Sequence, residues 1–365
     1  MPRRILLLIT DLEIGGTPTV VRELAIRLTR GTDAHVEVAC LAKWGPVATQ
    51  LREAGIAVHA IGASGPLDLV RVTRDLVRFI HERRFDTVFS FLVHANTIAA
   101  LASRFCRDVR FQQSIQTTQP KPRWHWKLQA IAHHAAERVV VPSMSAGRAA
   151  RAWADVPAGK LVVIPNAVDA DAFARSPVPA LDPRPYPVGF IGRLDPVKRV
   201  PMLIEALAGR AARRGDVHLH IFGDGPERPL VEGAIAGLRA ESWVTMHGAV
   251  PRPQEALSRV GLLVLPSSAE GFGLVLIEAM AAGVPVVAAG VAGVRDVVRH
   301  GANGILVDPD APAMLAGAID RVIDDSALRA QLVETGLRDA RERFGWEGVL
   351  GAYARLLGLT VSDRA

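Results

Sequence analysis

Cysteine is scarce in this chain of 365 residues, which has only Cys40 and Cys106. Two cysteines so far apart provide neither a disulfide framework nor the paired spacing of a zinc site. We therefore expect both to be buried and reduced, a state that fits the cytosol.

Long apolar runs are also missing. Because a membrane-spanning helix needs about 20 consecutive apolar residues, we expect no such helix. The apolar run 5–9 near the start is interrupted by Asp11 and Glu13, whereas a secretory signal needs a longer apolar segment. We interpret that run as a first β-strand, and we expect a cytoplasmic protein, either free or peripheral at the inner face of the membrane.

Positive charge is concentrated in the first half of the chain. Residues 1–180 carry 23 lysines and arginines against 15 acidic residues, and residues 181–365 carry 20 against 22. This asymmetry suggests that the first half meets something anionic. The arginines are scattered and no nucleic-acid-binding motif is present, so we expect no nucleic acid partner. An anionic membrane surface or a phosphorylated acceptor fits better.

Short apolar segments alternate with helical patterns along the whole chain. The first series has strands at 5–9, 35–41, 58–61 and 87–92, and a second series begins at Val188. Such alternation is typical of α/β proteins, in which helices cover both faces of a parallel sheet. In these folds ligands bind beyond the carboxyl ends of the strands.

A proline-rich stretch separates the two series. Five prolines lie between Arg175 and Pro187, and this composition favours an extended linker. We predict an N-terminal Rossmann-like domain over 1–178, a linker over 179–187 and a C-terminal Rossmann-like domain over 188–340. The remaining helical segment, 341–365, is able to pack back on the N-terminal domain.

The segment from Leu262 to Ala288 combines a strand, a glycine-rich loop, a helix and a second strand. Glu270 lies in the loop and Glu278 lies on the helix, which Gly283 is placed to end. Glycines that open a helix leave backbone N–H groups accessible beside a partial positive charge. This arrangement predicts a seat for a phosphate or diphosphate.

Two cations accompany this predicted phosphate seat. Arg193 and Lys198 lie in the loop GRLDPVK, after the first strand of the second series. Together with the helix N-terminus they can form a cationic site for a diphosphate. Glu278 is able to accept two hydrogen bonds from a vicinal diol such as a ribose, and Glu270 is placed for a sugar attached beyond the phosphates. Each side chain alone also fits a purely structural role.

Three features of the first half have two readings each. The loop at Gly15 and Gly16 is either a phosphate or hydroxyl site or a tight turn between strand and helix. His94, beyond the end of a strand, is either a ligand contact or a structural residue. The segment Trp124–Trp126 lies among lysines and arginines, and it suits either a membrane interface or a helix packed on its own domain.

Seven short motifs are spread along the chain: IGG (14–16), IPNAVD (164–169), GRLDPVK (192–198), IFGDGP (221–226), HGAV (247–250), EGFGLVLIEAMAAGVPVV (270–287) and NGILVDP (303–309). Together they resemble the motifs of retaining glycosyltransferases of family 4, also called group 1 glycosyl transferases. The resemblance implies an α/β GT-B fold, with two Rossmann-like domains facing each other across a cleft. It also implies that the first domain binds the acceptor and the second binds a nucleotide-sugar.

The resemblance assigns roles residue by residue. It implies a catalytic set of Arg193, Lys198, Glu270 and His94. Arg193 and Lys198 would hold the donor diphosphate, and His94 would lie near the transferred sugar. The implied donor-binding residues are Gly16, Gly192, Gly223, Val250, Gly271, Phe272, Gly273, Leu274 and Glu278.

The reaction implied by the family is glycosyl transfer with retained anomeric configuration. The donor would be a UDP- or GDP-sugar, and the acceptor would be a glycan or a lipid-linked molecule in cell-surface glycan, glycolipid or polysaccharide biosynthesis. We expect no cofactor and no metal. The D-x-D patterns at 169–171 and 308–310 lie at strand or domain ends. The cationic side chains of Arg193 and Lys198 are already available to bind the phosphates. The alternatives are a sugar-nucleotide epimerase of the same fold and a non-catalytic nucleotide-sugar binding protein.

Overall fold

Two separate parallel sheets divide the chain into two units. The computed structural model describes residues 3–65, 68–174 and 184–361. The first unit comprises Met1–Asn166 together with Glu347–Ala365, and the second comprises Ala167–Trp346. Each unit is built around its own parallel sheet.

The sheet of the first unit has seven strands, and every pairing between neighbours is parallel. Its strands are β1 (Arg4–Ile9), β2 (His35–Cys40), β3 (Ala57–Ala60), β4 (Thr87–Phe91), β5 (Arg110–Ser114), β6 (Arg138–Val141) and β7 (Leu161–Val163). Their spatial order is β3-β2-β1-β4-β5-β6-β7. Five of the six residues of β1 are buried, as expected for a central strand covered on both faces.

Six helices connect the strands of the first sheet: α1 (Gly16–Gly31), α2 (Pro46–Glu53), α3 (Leu69–Arg83), α4 (Val93–Ala102), α5 (Arg123–Ala132) and α6 (Met144–Ala154). Helix α1 buries Val20, Val21, Leu24 and Leu28, a spacing that puts them on one face. Cys40 and Cys106 are buried and unbridged, which confirms the sequence prediction.

The second unit repeats the design with six parallel strands. Helix α7 (Ala170–Ala174) precedes them, and the strands are β8 (Tyr186–Ile191), β9 (Val217–Phe222), β10 (Val244–Gly248), β11 (Leu262–Leu265), β12 (Val286–Ala289) and β13 (Ile305–Val307). Their order is β10-β9-β8-β11-β12-β13. The chain order reverses between β8 and β11, and ligands of open α/β sheets bind at such a switch point.

The helices of the second unit are α8 (Val200–Arg214), α9 (Arg228–Gly237), α10 (Pro253–Leu257), α11 (Leu274–Ala281), α12 (Ala292–Val297), α13 (Pro312–Asp324) and α14 (Ser326–Glu342). A last helix, α15 (Trp346–Leu357), ends the regular structure. From Glu347 onward the chain belongs to the first unit, where Tyr353 is buried with its ring 6.0 Å from that of Phe89.

The predicted linker over 179–187 is wrong at its end. Tyr186 and Pro187 lie in β8 and pair with Val217 and His218. Proline lacks an N–H donor, but the Pro187 carbonyl accepts a hydrogen bond from the Gly261 N–H at 2.8 Å. Residues 175–183 lie outside the described part of the chain.

Both predicted domain boundaries also differ from the observed division. The second unit begins at Ala167, because Val168 and Phe173 lie in its core and the Val168 N–H donates to the Phe344 carbonyl at 2.9 Å. The predicted break at 341 falls within α14, which continues to Glu342.

Candidate functional site

The loops after β8 and β11 lie together at the carboxyl edge of the second sheet. These strands are neighbours, so their carboxyl ends bring residues 192–198 and 266–273 side by side. The Ser268 N–H donates to the Val197 carbonyl at 2.7 Å, and its hydroxyl donates to the same oxygen at 3.3 Å. The two loops therefore form one connected structure.

Lys198 and Glu270 meet directly across these loops. Lys198 ends a short 3₁₀ turn that begins at Pro196, and its Nζ forms an ion pair with Glu270 Oε1. The two side chains are only 19% and 12% exposed. Because screening by water is weak at such positions, the pair holds both groups in a defined geometry.

Arg193 lies in the same loop but is more exposed. Its Nε donates to Asp195 Oδ1 at 3.1 Å, and 58% of its side chain is accessible. Asp195, which orients Arg193, is absent from the predicted site. The signal for it was the position of an acidic residue two places after an arginine in a tight loop.

Gly192 and Gly223 allow the loops at this edge of the second sheet to approach each other closely. The Gly192 N–H donates to the Phe222 carbonyl at 2.9 Å, and the Gly223 N–H donates to the Gly248 carbonyl at 2.7 Å. A Cβ on Gly223 would lie 1.9 Å from the Gly192 carbonyl oxygen. These glycines allow two loops to cross in contact, and their donor-binding role stays a prediction.

The amino end of α11 has the features of the predicted phosphate seat. Gly273 precedes the helix with φ 85°, a conformation that glycine adopts without steric cost. No acidic residue lies in the first turn, which starts at the half-buried Leu274. Phe272 is buried, and its ring meets that of Phe344 edge-on at 5.7 Å. A helix end of this kind favours a bound anion.

Glu278 lies one turn into α11 and is buried. Its carboxylate is able to accept hydrogen bonds from a vicinal diol. Its assignment to a ribose stays a prediction.

Gly293 is a site neighbour that the sequence pattern does not reveal. A Cβ at this position on α12 would lie 2.3 Å from the Glu270 carbonyl oxygen and 2.5 Å from the Gly271 carbonyl carbon. The missing side chain therefore allows α12 to approach the Glu270 loop. The only sequence signal was a glycine inside the helical segment VAGVRDVV.

A group of histidines lies beside the end of β10, where the predicted residue Val250 follows. His220 Nδ1 is 3.0 Å from His247 Nε2, and the His247 ring stacks on Phe222 at 4.3 Å between centroids. Burial, together with nearby His218, His247 and Arg259, lowers the pKa of His220 to about 4. Val250 itself is half-buried against the second core. The alternation of histidines along β9 was the available signal for this cluster.

Two predicted site residues belong to the first unit. Gly16 is the first residue of α1 and is exposed, and no atom lies within 4 Å of a Cβ built on it. His94 is the second residue of α4 and is also exposed. Leu92, which precedes α4, has φ 71° and ψ 153°, a region that only glycine populates readily.

Trp124 and Trp126 have different environments in the structure. Trp124 is 49% exposed, and its ring centroid lies 4.0 Å from that of His125 and 5.7 Å from that of His94. Trp126 is buried, donates to the Gln119 carbonyl at 2.8 Å and meets Trp153 edge-on. The reading of a helix packed on its own domain is thus right for Trp126, and only Trp124 of the pair presents a surface.

Residues 3–65, 68–174 and 184–361 contain neither a cluster of side chains suited to a metal ion nor a helix able to span a membrane. Within these ranges no three His, Cys, Asp or Glu side chains are grouped so as to hold a metal ion. No helix in them has both the length and the apolar character needed to cross a bilayer.

Two parallel-sheet units, each with its own core and loops at the strand ends, define a two-domain α/β protein of the GT-B type. The sequence model described as Glycosyltransferase Family 4 matches residues 14–172, and the model described as Glycosyl transferases group 1 matches residues 174–339. Between them the two models account for nearly the whole chain. The chain belongs to the family 4, or group 1, glycosyl transferases, which confirms the resemblance seen in the motifs.

Named relatives agree with this family. The chain is 34% identical over 178 residues to a D-inositol 3-phosphate glycosyltransferase of Thermobispora bispora, covering 46% of this chain and 41% of that protein. It is 38% identical over 159 residues to an alpha-D-kanosaminyltransferase of Streptomyces kanamyceticus, covering 42% and 40%. The chain thus spans about two fifths of the length of these curated relatives.

Among solved structures, Anabaena Alr3699/HepE in complex with UDP-glucose superposes on the chain with a TM-score of 0.87. The two are 25% identical, with 97% of this chain and 99% of that one covered. This likeness confirms the predicted fold class.

Proposed function

We propose that this protein is a retaining glycosyltransferase that moves a sugar from a nucleotide-diphosphate-sugar to an acceptor hydroxyl. The observation that carries the proposal is the Lys198–Glu270 pair, held beside the amino end of α11 at the switch point of the second sheet. A cation, a carboxylate and a helix N-terminus at one sheet edge match the charges of a diphosphate and the hydroxyls of a sugar.

The cations of this edge act on the leaving group. Lys198 and Arg193 neutralise the charge that develops on the nucleotide diphosphate as the glycosyl bond breaks, and the α11 N-terminus adds a partial positive charge. Asp195 keeps Arg193 oriented. Glu278 accepts hydrogen bonds from the ribose, and the Glu270 loop binds the sugar hydroxyls.

Retention follows from a front-side displacement. The bond from the anomeric carbon to the phosphate oxygen breaks, a bond to the acceptor oxygen forms on the same face, and the acceptor proton passes to the departing phosphate. Double displacement at a carboxylate, as in retaining glycosidases, requires a free nucleophilic carboxylate. Glu270 is engaged by Lys198, which makes it a poor nucleophile. His94 is assigned to the neighbourhood of the transferred sugar, and the reaction needs no metal.

The donor is a UDP- or GDP-sugar. UDP-glucose is the first donor to test, because the Anabaena relative was solved in complex with it. A thermal-shift screen over UDP-, GDP- and ADP-sugars identifies the donor, since a bound ligand raises the melting temperature by mass action. We expect one nucleotide class to raise it, and the absence of any shift would contradict the proposal.

A second measurement separates transfer from its alternatives. With donor and a panel of glycan and lipid-linked acceptors, a transferase releases nucleotide diphosphate and forms a glycoside whose anomeric proton signal retains the donor configuration. An epimerase instead converts the nucleotide-sugar with no acceptor present. A non-catalytic binding protein does neither, although it still gives a thermal shift.

We also propose that the first unit docks on an anionic membrane, as suits an enzyme of cell-surface glycan biosynthesis at the cytoplasmic face. The face that supports docking is a cavity of about 280 Å³ between α4 and α5, with Leu101, Leu128 and Ile131 among its lining residues. Arg104 and His134 also line this cavity, and exposed Phe105 is next to Arg104 in sequence. Apolar side chains beside cations suit the surface of anionic lipids.

Co-sedimentation with liposomes tests the docking. Wild-type protein should bind vesicles with 30% phosphatidylserine better than neutral vesicles, and salt should weaken binding. Replacing both Phe105 and Ile131 by serine should reduce it. Binding that ignores lipid charge, salt and both substitutions would contradict this part of the proposal.

A further inference from the structure

Three aromatic side chains form a partly open cluster in the first unit. His94 is in the first turn of α4, and Trp124 and His125 are in the first turn of α5. The His94 ring lies 5.7 Å from Trp124 and 5.6 Å from His125, and Trp124 and His125 are 4.0 Å apart. About half of the Trp124 surface stays accessible, at 49%.

A buried polar network fixes the two helices that carry this cluster. Asn96 of α4 donates from its amide nitrogen to Gln129 Oε1 of α5 at 2.9 Å and to the Ser114 carbonyl of β5 at 3.0 Å. Gln129 donates to Gln113 Oε1 at 3.0 Å, and Ser90 of β4 donates to Asn96 Oδ1 at 2.8 Å. All five residues are buried. Such a network holds α4 and α5 against each other at a set spacing.

The backbone before His94 is strained. Leu92 has φ 71° and ψ 153°, a conformation that a residue with a Cβ adopts only when the surrounding structure imposes it. Strain of this kind concentrates at functional sites. Here it allows α4 to start directly after β4, so that His94 lies at the carboxyl end of that strand.

We propose that Trp124, flanked by His94 and His125, is the stacking subsite for a sugar ring of the acceptor. The flat, half-exposed indole suits the apolar C–H face of a pyranose. The two imidazoles supply ring nitrogens that donate to or accept from the hydroxyls at the ring edge. The proposal rests on the proposed function, and it defines the acceptor as a carbohydrate-bearing molecule.

A lipid surface is a different occupant for an exposed tryptophan, but the surroundings of Trp124 favour a sugar. Its nearest aromatic neighbours are two imidazoles, which present polar nitrogens where a bilayer anchor would have apolar side chains. The exposed apolar residue Ile131 lines the separate cavity between α4 and α5, and exposed Phe105 follows Arg104 of that cavity in sequence. Co-sedimentation of the four proteins with anionic liposomes is therefore part of the test, and loss of liposome binding alone is one of its outcomes.

The test uses the full chain in four forms: wild type, Trp124→Ala, Trp124→Phe and Trp44→Ala. Trp44 is the matched control, because it lies in the same unit, is 48% exposed and contacts Arg52. Saturation-transfer NMR is recorded with a panel of methyl hexopyranosides and N-acetylhexosaminides. Release of nucleotide diphosphate from the donor is then measured without acceptor and with the glycoside that binds best.

We expect saturation of ring C–H protons of at least one glycoside with wild type and with Trp44→Ala, and its loss with Trp124→Ala. The acceptor KM should rise 10-fold or more in Trp124→Ala and stay within 3-fold in Trp124→Phe. The rate of donor hydrolysis without acceptor should be unchanged in Trp44→Ala.

Three results would overturn the proposal: no glycoside of the panel binds wild type, Trp124→Ala keeps the wild-type acceptor KM, or Trp124→Ala loses only liposome binding. Failure of the proposed function is distinct, since wild type would then release no nucleotide diphosphate from any donor, with or without acceptor.

Discussion

At the scale of single residues, the pair of Lys198 and Glu270 gives the candidate site its charge pattern. The lysine brings a positive charge to the sheet edge, and the carboxylate keeps that charge in place. A free lysine has a flexible stem that loses entropy on binding, so pre-positioning by Glu270 reduces the loss when a phosphate arrives. Arg193 is held in the same way by Asp195.

The coupling of Lys198 and Glu270 is measurable through stability. Lys198→Ala or Glu270→Ala should each destabilise the second unit by about 1–3 kcal/mol, since either change removes a charged hydrogen bond from a mostly buried pair. The double variant should be less destabilised than the sum of the single variants. Urea unfolding of the four proteins gives the cycle, and additive effects would show that the pair contributes no coupling.

Gly16 and Gly223 give opposite predictions for the same substitution. Alanine at Gly16 has room, because no atom lies within 4 Å of the new Cβ, whereas alanine at Gly223 places Cβ 1.9 Å from the Gly192 oxygen. Gly16→Ala should change the unfolding free energy by less than about 0.5 kcal/mol, but it should slow transfer if donor phosphates approach this backbone. Gly223→Ala should lose about 1–3 kcal/mol or more. Thermal melts and transfer rates test both, and equal stability of the two variants would contradict the account.

At the scale of elements, the helices α4 and α5 depend on Asn96. Its side chain forms hydrogen bonds with Ser90, Ser114 and Gln129 inside the first unit. The position of His94 at the end of β4 is therefore set by polar contacts as well as by apolar packing.

Replacing Asn96 by alanine should destabilise the first unit by about 1–3 kcal/mol for each buried group left without a partner. Thr97→Ala is the matched control on the same helix, because its hydroxyl bonds only to the Val93 carbonyl one turn earlier; its effect should be below about 1 kcal/mol. Urea unfolding followed by tryptophan fluorescence measures both. Equal losses would show that the network contributes nothing specific.

The stability of the second unit should depend on pH through the histidines at this edge of its sheet. The pKa of His220 falls from its ordinary value to about 4 in the folded chain, because burial and the nearby His218, His247 and Arg259 disfavour the charged ring. The unfolded state therefore binds the proton first. Stability should fall as pH drops below the ordinary histidine pKa of about 6.5, and the fall should continue to about pH 4.

His220→Gln removes this titration while keeping a polar side chain. Urea midpoints at several values between pH 4 and 7 should show a shallower decline for the variant than for wild type. An identical decline in His220→Gln and wild type would contradict the assignment.

The sequence predicts elements best where one strong signal decides. The segment from Leu262 is predicted to open with a strand, and β11 is found at Leu262–Leu265, because four apolar residues ended by Pro266 are short enough for a buried strand. Helix α4 lacks such a signal, because its mostly small and apolar sequence gives no clear polar face. Gly293 could not be predicted either, since its contact with the Glu270 loop joins segments that only the fold brings together.

At the scale of the whole molecule, the motifs predict two Rossmann-like domains and the family, and both are confirmed. The boundaries are the weak point. Proline content suggested a linker up to Pro187, but β8 begins at Tyr186, and residues from Ala167 already belong to the second unit. Proline limits local conformation, whereas a boundary depends on which core each segment contacts.

Arg214 provides the control for a test of the whole site. It lies at the carboxyl end of α8, is 56% exposed and pairs with Asp324, much as Arg193 is 58% exposed and pairs with Asp195. Loss of Arg214 removes the same charge and a comparable ion pair from the second unit, but away from the proposed donor seat.

The most direct test is the rate at which nucleotide diphosphate is released from the donor by wild type, Arg193→Ala, Lys198→Ala and Arg214→Ala. Our account predicts that wild type and Arg214→Ala turn over at similar rates, while Arg193→Ala and Lys198→Ala are slower by about 10²-fold or more. Wild-type rates in either site variant, or an equal loss in Arg214→Ala, would contradict the assignment of this sheet edge as the seat of the donor diphosphate.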